Sequence, residues 1–142
     1  MKTNFIKYFA MRLNIRSDRL IGDVQKEFNE MFPFLKIEFF RNRFAQQPDF
    51  PLQNLLPHYR RIAAGQMAIT EGGLEINPDM TVKDVENIFK NNFLLAAQVF
   101  RRSENTWLET TLTDSWTLRH QNEHGKEISN GKIIKDNPED LD

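Results

Sequence analysis

The chain has 142 residues and no cysteine, with only six glycines, six prolines and two tryptophans. Without thiols there are no disulfides, no thiolate metal sites and no cysteine nucleophiles. Glycine is too sparse for a phosphate-cradling loop: the one Gly-Gly pair, Gly72-Gly73, reads as a hairpin turn. No apolar run approaches the ~20 residues that cross a bilayer, so no membrane segment is expected. An excess of one charge is also missing, since nineteen Lys and Arg face twenty Asp and Glu, a net charge of −1. Residues 126–142 hold three Lys and five acidic groups, which leaves the remainder near +1. That balance argues against nucleic-acid binding by broad counterion release. The opening MKTNFIKYFAMRLNIR carries charges at Lys7 and Arg12 and no small-residue cleavage site. No secretory signal is expected, and a cytoplasmic location is the default expectation.

Phenylalanine is abundant, with twelve copies, so an aromatic-rich core is predicted in one domain over 1–125, followed by a disordered polar tail over 126–142. The most informative feature is an echo. Residues 13–28 read LNIRSDRLIGDVQKEF, and 74–89 read LEINPDMTVKDVENIF. At an offset of 61, Leu13/Leu74, Ile15/Ile76, Asp18/Asp79, Asp23/Asp84, Val24/Val85, Phe28/Phe89 and Phe32/Phe93 are identical. Dropping one residue near Pro33 adds Leu35/Leu95, Phe40/Phe100 and Arg41/Arg101. We read this as an internal duplication, 13–41 and 74–101.

Each copy predicts strand–helix–strand. Leu13 and Ile15, like Leu74 and Ile76, alternate with polar residues as in a half-buried strand. Ile21, Val24, Phe28, Phe32 and Val82, Val85, Phe89, Phe93 form one apolar stripe per helix. Thr81 and Asp84 have capping-box spacing, whereas the first copy has Leu20 at the cap, so Ser17 or Asp18 must serve there. Leu35, Ile37, Phe39 and Leu95, Ala97, Val99 would then face the helices. Between the copies, PHYRRIAAG predicts a short helix from Pro57 to Gly65. After them, Ser103-Glu104-Asn105 predicts a hairpin turn into a fifth strand, TWLETTL, and Thr113-Asp114 the cap of a last helix ending at Gly125.

The fold class expected is α+β: duplicated strand–helix–strand units in one mainly antiparallel sheet with the helices on one face, a ferredoxin-like arrangement. Its strand order would be fourth, first, third, second, leaving the second strand at an edge. MAITEGGLEINPDMTVKDVENIF, with the strand and hairpin that follow, resembles the ubiquitin-like β-grasp family from Met67 to Leu112, which implies the alternative fold. The chain ends in NPEDLD without the family's Gly-Gly, so conjugation or sulfur-carrier chemistry is not implied. The whole pattern is also similar to small bacterial proteins of no assigned function, a likeness that implies no chemistry.

Candidate sites are few. Arg41, Arg43, Arg101, Arg102 and Trp107, among strand-end aromatics, are the residue types that take phosphate and stack bases, but the Gly/aromatic alternation of RNA-recognition strands is absent. Strands two and four run oppositely, so Arg41 and Arg101 are expected at opposite ends. His120 and His124 share a helix face, and a metal there would lack a specified third ligand. Asp18, Asp23, Asp79 and Asp84 are turn and cap residues, and no nucleophile–base set stands out, so neither catalysis nor a cofactor is expected. The function expected is a protein–protein interaction or assembly module, the alternative being single-stranded nucleic-acid or anion binding. The partner is another protein or a second copy. A homodimer would pair the edge strand Leu35, Lys36, Ile37, Glu38 to Phe40, unless residues 44–65 fold back over it.

Overall fold

The computed structural model describes residues 11–41, 55–62 and 71–131. In chain order it contains β1 (Arg12–Ile15), α1 (Ile21–Met31), β2 (Leu35–Phe40), β3 (Gly72–Glu75), α2 (Val82–Phe93), β4 (Ala96–Ser103), β5 (Thr106–Glu109) and α3 (Leu118–Ser129), with a 3-10 turn at Thr111–Thr113. Among the described residues no helix is long and apolar enough to cross a membrane.

The stripes seen in the sequence become one core. Ile21, Val24, Phe28, Val82, Val85 and Phe89 are fully buried in a cluster with Leu13, Ile15, Leu35, Ile37, Leu95 and Val99. Each such side chain contributes roughly 1.5–3 kcal/mol on burial. The two copies repeat their aromatic packing: Phe28–Phe32 centroids lie 5.6 Å apart at 51°, and Phe89–Phe93 5.9 Å apart at 49°. Phe39 meets Phe89 edge-on at 5.1 Å, joining the first unit to the second. The one-residue gap near Pro33 also has a cause. In the second unit Leu94 takes a left-handed backbone, φ 57°, and turns the chain in one residue where the first uses Pro33 and Phe34.

The fold is α+β and compatible with a ferredoxin-like arrangement of its units. Its strands, however, divide between two antiparallel sheets, β1–β3 and β2–β4–β5, rather than forming one. β2 runs beside β4 over its whole length, from Leu35↔Arg101 to Phe40↔Ala96. In both ladders residues equated by the repeat face each other: Leu13 pairs with Leu74, and Glu38 with Gln98. Gly72 and Gly73 are not a hairpin turn but half of β3. A side chain on Gly73 would collide with the Arg12 guanidinium, which crosses that position and reaches Glu75 at 3.5 Å.

The helix starts match in a way the sequence does not announce. Leu20 is the N-cap of α1 and makes no side-chain cap; neither Ser17 nor Asp18 serves, and Ser17 donates instead to Glu71 at 2.6 and 2.9 Å. Backbone carbonyls take over the role. Ile21 and Gly22 donate to the carbonyls of Arg60 and His58, and Val82 and Lys83 to those of Trp116 and Asp114. Short bridges, Leu20↔Arg61 and Thr81↔Thr117, stand beside them. Ile62 donates to Arg19 as Leu118 donates to Met80, which is again 61 residues on from Arg19. Residues 57–61 therefore form a turn and a bridge, and their carbonyls satisfy helix donors that would otherwise lack partners; residues 63–65 of the expected short helix lie outside the described residues. α2 also has the expected capping box between Thr81 and Asp84.

α3 begins later and ends later than its sequence signals suggest. Its cap is Thr117, which accepts from the His120 N–H at 3.0 Å, rather than Thr113 or Asp114. The helix continues through Gly125 to Ser129 with Ile128 buried, past the expected helix end at 125; residues 132–142 of the expected tail lie outside the described residues. Gly125 is a contact residue, not a terminator. A Cβ there would stand 2.9 Å from Arg101 Cγ and 3.1 Å from Phe34 Cβ.

Candidate functional site

Alternation along β2, β4 and β5 sorts their side chains between two faces. Leu35, Ile37, Phe39, Ala97, Val99 and Arg101 point to the buried side, and Lys36, Glu38, Phe100, Arg102 and Trp107 to the other. On this second face three neighbouring strands build one constellation. Lys36 Nζ lies 5.3 Å from the Phe100 ring centroid and 5.2 Å from that of Trp107, and it pairs with Glu38 at 3.3 Å. Arg102 places its guanidinium carbon 5.2 Å from the Trp107 centroid, while its Nε donates to the Glu104 carbonyl at 2.6 Å. Trp107 thus has two cations against one ring, each contact contributing about 0.5–1 kcal/mol at such a half-exposed site. Glu104 turns the hairpin in a left-handed conformation, φ 55°, which sets Trp107 opposite Arg102.

The proposed arginine set does not assemble as a whole. Arg102 and Trp107 meet. Arg101 lies on the opposite face, fully buried, with Nη1 donating to Gln121 Oε1 at 2.8 Å and the guanidinium 5.7 Å from the Trp116 ring. Burial pushes its pKa down to about 10, so it stays charged at neutral pH. Arg41 is exposed at the far end of the β2–β4 ladder from Arg102, as opposed strand directions predicted. Arg43 lies outside the described residues. The inward position of Arg101 was signalled by its phase with Ala97 and Val99, which outranks its apparent partnership with Arg102. The sequence reading missed Gln121, a buried polar side chain whose Nε2 also donates to the Thr113 carbonyl and hydroxyl, both at 2.8 Å.

The residues proposed for a self-pairing edge are also placed. Leu35, Ile37 and Phe40 are buried, and Lys36 and Glu38 pair with each other within the chain. The outward carbonyls of β2 are occupied: Leu35 accepts from Asn29 Nδ2 at 2.8 Å, Ile37 from Gln25 Nε2 at 2.9 Å, and Phe39 from the Leu56 N–H at 2.8 Å. Helix α1 and residue 56 therefore occupy the outward carbonyls of the edge that the expected homodimer would use. The second unit repeats the device in part. Glu86, the counterpart of Gln25, accepts from the Val99 N–H at 2.9 Å, and Thr110 Oγ1 donates to the Val99 carbonyl at 2.8 Å. Burial, reinforced by nearby Asp114 and opposed by the Val99 bond, raises the Glu86 carboxyl to about 7.

His120 and His124 share a face of α3 as their spacing predicted, and Trp116 packs against both. Its ring stacks on His120 at 4.2 Å and 19°, and meets His124 edge-on at 5.4 Å. Among the described residues no three His, Cys, Asp or Glu side chains converge in a group able to hold a metal. An open depression of about 310 Å³ runs along α2 beside Met80, Asp84 and Ile88. Its counterpart on α1 is crossed by the Arg19–Glu27 ion pair at 2.7 Å, where Arg19 and Glu27 replace Met80 and Ile88. Comparison of the chain with protein-family models, curated proteins and solved structures finds no match.

Proposed function

We propose that this chain is a small protein-interaction and assembly module, and that its contact region is β5 with the Lys36–Phe100–Trp107–Arg102 face beside it. The observation that carries this reading is the contrast between the two sides of one sheet. Side chains and a backbone N–H close the outward carbonyls of β2, while β5 has exposed residues at three of its four positions and borders no further strand among the described residues. Aromatic rings flanked by cations give an anchor of the kind that dominates protein contacts. Nucleic-acid or anion binding draws less support, because of the four of its residues that are described only Arg102 and Trp107 come together. The test is a photo-cross-linking side chain placed at Leu108, with Lys83 on helix α2 as control. An adduct of discrete mass at Leu108 alone, lost with Trp107→Ala, is expected; equal labelling at both positions, or none, would end this reading.

We propose further that the two units descend from one by duplication. Support comes from the paired equivalents in both ladders and from the recurring cap hydrogen bonds, which extend the likeness to 57–62 and 113–118, where the sequences differ. An experimental structure with either ladder shifted in register would remove that support.

A further inference from the structure

We infer that β5 pairs with β5 of a second copy, antiparallel about Leu108, to make a continuous six-stranded sheet. The inference rests on the interaction-module reading and names its partner.

Backbone direction supplies the first argument. Arg102 donates its N–H to the Phe34 carbonyl, on the β2 side, while the Val99 N–H meets Glu86 on the other side. Groups alternate along a strand, so Arg101 and Ser103 turn theirs toward β5. Their register partners Leu108 and Thr106 must then face β4. Trp107 and Glu109 consequently turn their N–H and C=O groups outward, four groups on the side that borders no strand among the described residues. A two-fold centred on Leu108 sets Trp107 against the partner's Glu109 and Glu109 against the partner's Trp107. Each couple exchanges two hydrogen bonds, so all four outward groups are satisfied in both chains, and the Leu108 side chains, 40% exposed in the single chain, meet at the axis.

Side-chain charge supplies the second. Trp107 and Glu109 lie on the same face as Lys36, Phe100 and Arg102. The ladder places Lys36 beside Phe100 and Phe100 beside Glu109, while Arg102 lies beside Trp107. Pairing about Leu108 continues the first row with the partner's Trp107 and then its Arg102. Each Glu109 thereby sits between cation-bearing rings of the two chains. The Arg102 guanidinium already leans over its own Trp107 ring, one strand toward the place the partner's Glu109 would take. A register centred on Trp107 instead would set the two Trp107 residues, each with its cations, directly against one another. Opposite charges across the join favour the Leu108 register, and like charges disfavour the other.

The experiment is size-exclusion chromatography with light scattering over about 10–500 µM, with amide exchange measured at both ends of that range. The expected result is a mass that rises with concentration toward twice the chain's 16.8 kDa, with Trp107 and Glu109 amides slowing in parallel. Glu109→Pro deletes an outward N–H and leaves the β4 ladder intact, so it should fold and stay monomeric. Should that variant fail to melt cooperatively, Glu109→Lys addresses the same interface by placing like charge beside the partner's Trp107 and Arg102. A monomer at every concentration overturns the inference, and so does a dimer that survives both substitutions. A monomer that still gives the Leu108-specific adduct with another protein overturns self-pairing while leaving the module reading in place.

Discussion

Replacing Glu86 with Gln should stabilise this protein at alkaline pH and leave it little changed in acid. The carboxyl is half-buried against the Val99 N–H, close to Asp114, and its pKa is raised from the ordinary 4.5 to about 7. Between those two values the folded chain holds a proton that the unfolded chain has released. Stability therefore falls as pH rises through that window, and the loss is complete above about 7. At about 1.4 kcal/mol per pH unit the span corresponds to on the order of 2–3.5 kcal/mol, the lower figure allowing for partial contact with solvent. Glu86→Gln removes the titration and keeps an oxygen for the Val99 N–H; the equivalent residue of the first unit is already Gln25. Urea unfolding of both proteins, followed by tryptophan fluorescence at pH 4.5, 6 and 8, reads the difference directly. The variant's advantage should grow by that amount from the first pH to the last. A difference that is flat within about 0.5 kcal/mol, or that moves in the wild type's favour, would refute the reasoning.

Phe28→Ala and Phe89→Ala should each cost on the order of 3–5 kcal/mol by denaturant titration, since both rings are fully buried in the shared core; a loss below about 1 kcal/mol would place them outside it. Gly125→Ala should destabilise by roughly 1–3 kcal/mol, although Ala is the better helix former by about 1 kcal/mol, because the added methyl meets Arg101 and Phe34. A gain in melting temperature would show that α3 does not pack that closely. Gln121→Leu should cost about 2–4 kcal/mol, since it removes a hydrogen-bond partner of the buried Arg101 guanidinium and the donor to Thr113. The double variant with Arg101→Met should recover part of that loss; an additive loss would mean the two side chains are not coupled.

Several features were legible in the residues themselves because they depend on neighbours in the chain. A strand alternates its side chains and a helix repeats every 3.6 residues, so the order of Leu13 and Ile15, or of Val85, Phe89 and Phe93, carries its own geometry. The strand–helix–strand units, the shared core, the Thr81–Asp84 box and the hairpin at Glu104 all follow from such short-range rules. The same rule places Arg101 inward, and that reading failed only where its charge and its neighbour Arg102 were given more weight than its phase. Tertiary structure alone decided the rest. Alternation says which face of β2 is apolar but not which strand lies beside it, and β4 took that place while Gln25, Asn29 and Leu56 closed the other side. Gly125 looked like a helix end because glycine serves both as terminator and as contact point, and only the approach of Arg101 and Phe34 distinguishes the two uses. The helix caps lent by His58, Arg60, Asp114 and Trp116 were the least visible, for a simple reason. A backbone carbonyl is the same group in every residue, so PHYRRI and TDSWTL perform one task with nothing in common but a buried aliphatic side chain at the end, Ile62 or Leu118.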